Sequence, residues 1–204
     1  MSQLKDTYKT IITAPAPVLF KDKNSKFFGY AFPVNTEHDV KTHLTKLKKE
    51  HHAARHWCYA YQLGTEQIFY RTNDDGEPSN SAGAPIYGQI QSFQLTNVLV
   101  IIVRYFGGVK LGVSGLINAY KTAAQMVLEQ SLIVEKTIDV NFIISFDYKH
   151  MNTVMRLIKE KQITISNQEL EMACKIYISV RKNDSQNIFE LFDRVYEVDI
   201  KKVN

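Results

Sequence analysis

The chain has 204 residues, of which 45% are hydrophobic and 23% are charged, so its composition is that of a globular protein and excludes a disordered chain. Its formal net charge of +4 permits binding to nucleic acid without requiring it, because a dedicated nucleic-acid binder usually has a denser basic patch. The longest apolar run, Val98–Val103, is far shorter than the ~20 residues of a membrane-spanning helix. Residues 1–10 lack the apolar segment of a secretory signal. We therefore expect no membrane partner.

The hydrophobic pattern of residues 1–135 predicts a first domain that mixes strands and helices. Its predicted elements are strands over 18–20 and 26–34, a helix over 37–52 capped by Thr36, strands over 57–63 and 67–71, a short helix near 86–90, a strand over 98–103 and a long helix over 113–131. Val98–Val103 is apolar on both faces, which predicts a central strand of a sheet. A polar, glycine-containing loop occupies Thr72–Pro85.

Residues 136–204 predict a second, smaller domain with the order β-α-β-β-α-β, the ferredoxin-like arrangement. The predicted elements are strands near 138–146, 163–165, 172–180 and 196–200, with helices over 149–160 and 183–195. Asn183 and Asp184 are candidate caps of the second helix. We place the linker between the two domains near Ile133–Thr137, and the fold class is α+β.

A glycine-rich loop joins the central strand to the long helix. Four of the chain's 9 glycines lie between Gly107 and Gly115, and glycine is used where the backbone turns with positive φ or approaches a neighbour closely. The N-terminus of the following helix offers unpaired N–H groups, which attract anions. The candidate anion- or nucleic-acid-binding residues are Arg104, Tyr105, Gly107, Gly108, Lys110, Gly112, Ser114 and Gly115. The alternative is a tight turn whose glycines serve close packing alone, and no Walker loop is present.

An acidic loop precedes the short helix and contains Asp74, Asp75 and Glu77. Three carboxylates in four residues are suited to holding a hydrated Mg²⁺ or accepting protons. The same residues surround Gly76 and Pro78, which are ordinary turn residues, so a plain turn is the alternative. We predict no resident cofactor, and Mg²⁺ enters only with the enzyme hypothesis below.

Histidines and one cysteine cluster around the third predicted strand. His52 and His56 are four residues apart, as ligands on one helix face would be, but no further ligand completes a set nearby, so we predict a structural role and no metal site. Cys58 and Cys174 have no recognisable spacing. We therefore expect free thiols and a cytoplasmic protein.

These segments, taken together and in this order, resemble the IMPACT/YigZ family. The matching motifs are Ser25-Lys26-Phe27, Ala54-Arg55-His56-Trp57-Cys58, Asp74-Asp75-Gly76-Glu77-Pro78-Ser79 with Ala82-Gly83 and Pro85, and Arg104-Tyr105-Phe106-Gly107-Gly108-Val109-Lys110-Leu111-Gly112 running into Gly115-Leu116 and Ala119-Tyr120. Each motif alone is weak, but four in the right order are specific, and they cover most of the first 130 residues. Arg55 and His56 become secondary candidate site residues on this basis.

The resemblance implies a first domain with the fold of the second domain of ribosomal protein S5. It implies that the ferredoxin-like part is similar to the final domain of elongation factor G. By analogy, it implies a role on RNA, the ribosome or translation, although fold alone does not establish function.

Three hypotheses about function follow. The first is a non-catalytic RNA- or ribosome-binding protein that regulates translation. The second is an enzyme acting on a phosphorylated small molecule or nucleotide with Mg²⁺, which requires the acidic and glycine-rich loops to face each other across one pocket. The third is a protein-interaction module with a protein partner, which an exposed apolar patch would favour.

Overall fold

A computed structural model describes residues 6–171 and 173–203, which divide into two compact units. One unit is Tyr8–Lys136, and the other contains residues 6–7 together with the described residues from Thr137 onward. The predicted α+β class with two domains is confirmed. Within the described residues, no helix is long and apolar enough to cross a membrane.

The larger unit is built around a five-stranded antiparallel sheet with the strand order β2-β3-β6-β4-β5. The elements up to residue 137 are β1 (Thr7–Ile11), β2 (Val18–Asp22), β3 (Ser25–Pro33), α1 (Glu37–Glu50), β4 (His56–Leu63), β5 (Phe69–Asn73), α2 (Gly83–Ser92), β6 (Val98–Tyr105), α3 (Gly112–Glu129) and β7 (Ile133–Thr137).

Strand β6 is the centre of this sheet, as its apolar sequence predicts. Its residues 98–104 are all buried, and it lies between β3 and β4. Val98, Val100 and Ile102 belong to a core with α2 and α3, whereas residues 99, 101 and 103 belong to a second core with α1. Successive side chains of a strand point to opposite faces, so an unbroken apolar run is what a sheet covered by helices on both faces requires.

The ends of α1 follow from local chemistry. Thr36 accepts a hydrogen bond from the backbone N–H of Asp39, and the Asp39 carboxylate accepts one from the backbone N–H of Thr36, which forms a capping box. The helix ends at Glu50 and His51 occupies the C-cap, so the predicted end near His52 is slightly too long.

A two-residue turn joins β2 to β3. Lys23 and Asn24 both have positive φ, 42° and 66°, which is the backbone of a type I′ hairpin turn. The turn brings Ser25 to the start of β3, where it is fully buried.

The expected linker at Ile133–Thr137 is strand β7, which pairs with β1 in a separate two-stranded sheet. Both strands have only five residues, and three of the five in β7 are exposed, so the apolar signal is too weak for the sequence to indicate a strand there.

The smaller unit is ferredoxin-like, as predicted. Its elements are β8 (Asp139–Asp147), α4 (Met151–Glu160), β9 (Thr164–Leu170), β10 (Ala173–Arg181), α5 (Ser185–Asp193) and β11 (Val198–Val203). The antiparallel sheet has the order β11-β8-β10-β9, and α4 and α5 contribute Val154, Ile158, Ile188 and Phe192 to its core.

The ends of some elements in this unit differ from the sequence-based expectation. Asp184 occupies the N-cap position of α5, as predicted, but its side chain forms no cap hydrogen bond; it is also the last residue of a 3₁₀ turn (Lys182–Asp184). Tyr196 precedes β11 and is exposed, so the last strand starts later than predicted. Met172, expected in the strand that became β10, lies outside the described residues.

Candidate functional site

The two loops singled out by the sequence meet at one end of the larger unit's sheet, on the face covered by α2 and α3. There, Nη1 of Arg104, at the end of β6, lies 2.5 Å from Oε1 of Glu77 in the acidic loop, residues 74–78. A cleft of about 430 Å³ opens between the acidic loop and the glycine-rich loop, residues 107–115. Its polar lining residues are Arg55, His56, Glu77, Arg104 and Lys110, and its apolar lining includes Pro78, Phe106, Leu111, Val113 and Leu116.

Arg104 and Glu77 form a buried ion pair in the wall of the cleft. Their side chains are 6% and 4% exposed. Glu77 Oε1 also accepts a 2.7 Å hydrogen bond from the hydroxyl of Tyr120 in α3, and burial raises the pKa of that hydroxyl. The guanidinium further contacts Ser25 Oγ at 3.4 Å and lies over the ring of Phe27. Arg104 therefore holds β6 to the acidic loop and to the β2–β3 hairpin, instead of lying free on the surface.

One donor of Arg104 remains without an acceptor. Its Nε is buried and has no hydrogen-bond partner among the described residues. Leaving a buried donor unpaired costs roughly 1–3 kcal/mol, so such atoms are few in folded proteins and need an explanation.

Asp74 organises the start of α2. Its Oδ1 accepts hydrogen bonds from the backbone N–H groups of Ala82 at 2.9 Å and Gly83 at 2.8 Å, and its Oδ2 accepts one from Asn80 at 2.9 Å. Ala82 occupies the N-cap of α2 and has no side-chain oxygen, so Asp74 supplies the negative acceptor that this helix end needs.

Asp75 holds the other side of the acidic loop to β4. Its Oδ2 accepts a 2.7 Å hydrogen bond from the backbone N–H of Trp57. Its carbonyl oxygen lies 2.8 Å from Nδ1 of His56. A carbonyl can only accept, so Nδ1 carries the proton and the other ring nitrogen, Nε2, is turned toward the cleft, 4.0 Å from Glu77 Oε1.

Cys58 is an internal thiol. Its Sγ donates toward the carbonyl oxygen of Asp74 at 3.0 Å and lies 3.3 Å from the Tyr120 hydroxyl. Burial raises the pKa of this thiol well above its ordinary range, so it stays protonated and unreactive at neutral pH. Cys58 and Cys174 are both free, as expected.

The histidines do not converge. His51 lies on the opposite, α1 side of the sheet, where its ring nitrogens contact the hydroxyls of Tyr30 at 2.5 Å and Tyr105 at 2.9 Å. His52 is exposed beyond the end of α1. The described part of the chain contains no group of three or more His, Cys, Asp or Glu side chains arranged to hold a metal ion.

The bond to His51 shows that Tyr105 does not belong to the cleft. Tyr105 follows Arg104 directly in β6, so the two side chains point to opposite faces. Tyr105 joins the α1 core, and the next aromatic residue, Phe106, is the one that lines the cleft.

The glycines of the loop serve different purposes. A Cβ on Gly107 would lie 2.1 Å from the backbone carbon of Asn24, and the Gly107 N–H donates to Ser25 Oγ at 3.1 Å. Gly107 is thus needed for close approach to the β2–β3 hairpin. Gly108 and Gly112 are exposed and have φ of +86° and +77°, a conformation that strongly favours glycine.

The first turn of α3 faces the cleft without a cap. Leu111 occupies the N-cap position and contributes no side-chain hydrogen bond, while Gly112 and Val113 line the cleft. The other two predicted residues of this turn do not line it: Ser114 is exposed, and Gly115 lies against Leu111. The first N–H groups of α3 are therefore open to an acceptor in the cleft.

Arg55 and Lys110 are the two exposed cations of the cleft. Neither forms an ion pair with any residue in the described ranges 6–171 and 173–203. Their charges are thus available to a ligand, unlike that of Arg104.

Sequence reasoning missed two polar residues of this region. Ser25 bridges Arg104 and Gly107, and Tyr120 bridges Glu77 and Cys58. Tyr120 repeats at helical spacing within the apolar stripe of α3, so the spacing itself indicates only a core residue. Both Ser25 and Tyr120 stand in the family motifs, and that is the hint the sequence contains for them.

Comparisons with known proteins identify the family of this chain. The Impact N-terminal domain matches residues 23–128, which include every residue of the cleft. An IMPACT family member of Haemophilus influenzae is 32% identical over 170 residues, covering 80% of this chain and 81% of the relative. IMPACT family member YvyE of Bacillus subtilis is 33% identical over 143 residues, covering 70% and 66%. IMPACT family member YigZ of Escherichia coli is 27% identical over 165 residues, covering 79% and 80%.

A crystal structure described as that of a hypothetical protein superposes with a TM-score of 0.73. The match covers 98% of this chain and 99% of that one at 22% identity, so it supports the two-domain fold alone. The domain match and the relatives together show that this chain belongs to the IMPACT family.

Proposed function

We propose that this protein is a non-catalytic RNA-binding protein that acts on the ribosome or its RNA to regulate translation. The observation that carries the proposal is the convergence of two cations that form no ion pair with any described residue, Arg55 and Lys110, with the N-terminus of α3, which has no side-chain cap, at one cleft. The resemblance to translation-factor domains points in the same direction.

The charges of the cleft favour an anion. The Glu77 carboxylate is compensated by the Arg104 guanidinium at 2.5 Å, so Arg55 and Lys110 remain as uncompensated charges. The N-terminus of a helix adds the equivalent of about half a positive charge. A phosphate group brought to this turn would meet open backbone N–H donors and two flexible cations.

The cleft also has an aromatic surface. Phe106 is 42% exposed, and the Arg104 guanidinium lies over its ring, 5.6 Å from the ring centroid. Nucleic acid is the ligand that combines phosphates with flat bases, and proteins that bind single strands use cations for the first and aromatic rings for the second.

An enzyme acting on a phosphorylated small molecule is the second candidate, because the two loops share one cleft as that hypothesis requires. Against its use of Mg²⁺, Asp74, Asp75 and Glu77 already accept hydrogen bonds from the chain's own donors. A metal would have to displace those donors. Incubation with nucleotides and Mg²⁺, followed by chromatography of the products, tests this candidate directly.

The test of RNA binding is titration of the protein with ribosomes and with structured RNA at several salt concentrations. The variant Arg55→Ala/Lys110→Ala removes both exposed cations and leaves the buried Arg104–Glu77 pair in place. We expect weaker binding and a salt slope that is shallower by about one unit for each phosphate that the variant no longer neutralises.

The matched control is Lys41→Ala/Lys49→Ala, which removes two exposed charges from α1 on the opposite face of the sheet. It should bind with nearly the wild-type slope. Equal losses of affinity in both variants would show that net charge alone drives binding. No binding by the wild type would reject RNA as the ligand and turn attention to the enzyme and protein-partner hypotheses.

A further inference from the structure

We propose that the outer edge of β5 binds an extended segment of a protein partner, which pairs with β5 as a sixth strand of the larger unit's sheet and places an acidic side chain opposite Arg71. The inference goes beyond the proposed RNA-binding function and concerns a different surface. Leu63, which pairs with Phe69 of β5, lies seven residues along β4 from His56 in the cleft, a distance of roughly 23 Å in an extended strand.

Strand β5 has a free edge. It is the last strand in the order β2-β3-β6-β4-β5, and among the described residues it pairs with β4 alone. The outer side of such a strand presents backbone N–H and C=O groups without a strand partner, which are a template for a further strand. Native edge strands are commonly protected by proline, by a bulge or by charges. β5 contains no proline, its pairing with β4 has no register shift, and Arg71 is its only charged residue.

Aromatic side chains are exposed along this edge on both faces of the sheet. Phe69 lies on the α1 face, where its ring centroid is 6.1 Å from that of Tyr61. Tyr70 lies on the opposite face, where its ring stacks on Tyr87 of α2 at a centroid distance of 4.3 Å. Despite these contacts the two rings are 53% and 54% exposed, and the preceding Ile68 is 48% exposed. A strand added beside β5 would cover both rings, one on each face.

Arg71 defines the chemistry of the added strand. It is exposed and forms no ion pair with any residue in the ranges 6–171 and 173–203. Its side chain shares a face with that of Phe69, because residues two apart in a strand point the same way. Opposite charges directly across an antiparallel pair stabilise the pair, whereas like charges destabilise it. We therefore expect Asp or Glu opposite Arg71 in the partner segment, and apolar residues beside Phe69 and Tyr70.

A second copy of this chain is a poor occupant of the edge. Antiparallel pairing of the whole of β5, Phe69–Asn73, with its own counterpart would place Arg71 opposite the same arginine of the copy, which is an unfavourable pair. An aromatic side chain buries roughly 150–250 Å², so two half-exposed rings offer roughly 200 Å². A standard protein–protein interface buries about 800 Å² per partner. An extended peptide needs less apolar area, because main-chain hydrogen bonds contribute to its affinity.

The probe is a library of random twelve-residue peptides displayed on phage and selected on the full chain. Selected sequences are then synthesised with a label, and their binding is measured by fluorescence anisotropy. We expect peptides that alternate apolar and polar residues, contain Asp or Glu, and lack a central proline. Methylation of every second backbone nitrogen should abolish binding in one frame and preserve it in the other, because only alternate N–H groups of the peptide face β5.

Two variants test the named side chains. Phe69→Thr removes an exposed ring but keeps a residue that favours strands, and it should weaken binding of the selected peptides roughly tenfold or more. Arg71→Glu should weaken their binding roughly 2- to 30-fold. A peptide in which lysine replaces the acidic residue should bind Arg71→Glu better than it binds wild type, which loss of folding could not produce.

The matched control is Leu19→Thr, which changes a 40% exposed residue of β2, the strand at the other edge of the same sheet. It should bind the peptides as wild type does. The fluorescence of Trp57, the only tryptophan, verifies that each variant is folded.

The outcomes that overturn the proposal are distinct. It is wrong if no peptide is selected, if the selected peptides bind Phe69→Thr and Arg71→Glu as tightly as wild type, or if both methylation frames are tolerated. A dimer of the free protein that Phe69→Thr dissociates, measured by sedimentation, would assign the edge to a second copy instead. Phe69→Thr should leave RNA binding and its salt slope unchanged. Loss of RNA binding in this variant would assign the edge to the RNA surface, and unchanged peptide binding in a protein that binds no RNA would reject only the proposed function.

Discussion

The acidic loop and the glycine-rich loop are both unusual in composition, yet the structure uses them in opposite ways. The acidic loop turns its side chains inward: Asp74 binds the start of α2, Asp75 binds β4, and Glu77 binds Arg104 and Tyr120. The glycine-rich loop turns outward, with an exposed lysine, an open helix N-terminus and Phe106 beside it.

The difference shows that a run of charges does not by itself make a ligand site. Backbone N–H groups around a helix start and a buried guanidinium both require acceptors, and carboxylates supply them at the lowest cost. Glycines have no side chain with which to satisfy their surroundings, so the polar groups near them stay available. We therefore expect substitutions in the acidic loop to lower the stability of the fold and substitutions in the glycine-rich loop to weaken ligand binding.

The strongest test of this contrast is Glu77→Ala. It leaves the buried Arg104 charge and the Tyr120 hydroxyl without their shared acceptor, and removing one partner of a buried ion pair costs about 3–5 kcal/mol. Urea denaturation followed by Trp57 fluorescence reports on the larger unit, since Trp57 lies in β4. Glu77→Gln, which keeps an oxygen at this position, should be destabilised less. A loss below ~1 kcal/mol for Glu77→Ala would show that the pair is not a structural element.

Asp74→Ala should have an intermediate effect. It removes the acceptor of three backbone N–H groups at the start of α2, and we expect a loss of about 1–3 kcal/mol in the free energy of unfolding. Hydrogen exchange should locate the change at Asn80, Ala82 and Gly83. Unchanged protection of these amides would mean that water replaces the carboxylate without cost.

Lys110→Ala should have the smallest effect on stability. Its side chain is exposed and forms no ion pair within the described ranges, so we expect a change within about 0.5 kcal/mol by the same denaturation assay. The same variant should nevertheless bind RNA more weakly and with a shallower salt slope. A stability loss as large as that of Asp74→Ala would remove the distinction between the two loops.

Much of this architecture could be predicted from local pattern. The apolar run of β6 indicated a central strand, Thr36 marked the start of α1, and the alternation after residue 137 indicated a ferredoxin-like unit. The strand β1 and its partner β7 were missed because each is short and β7 is mostly exposed. Two strands with such weak patterns can be recognised only in the structure, where they pair with each other.

The two segments of the candidate site could be recognised from the sequence, because glycines, carboxylates and a helix start are local features that need no knowledge of the fold. The role of each side chain in it depends on tertiary contacts. Arg104 and Tyr105 are neighbours in β6, yet one is held in the cleft wall by Glu77 and the other bonds to His51 across the sheet. Such roles depend on residues 27 to 54 positions away, whose proximity is set by strand pairing and by the helices on each face.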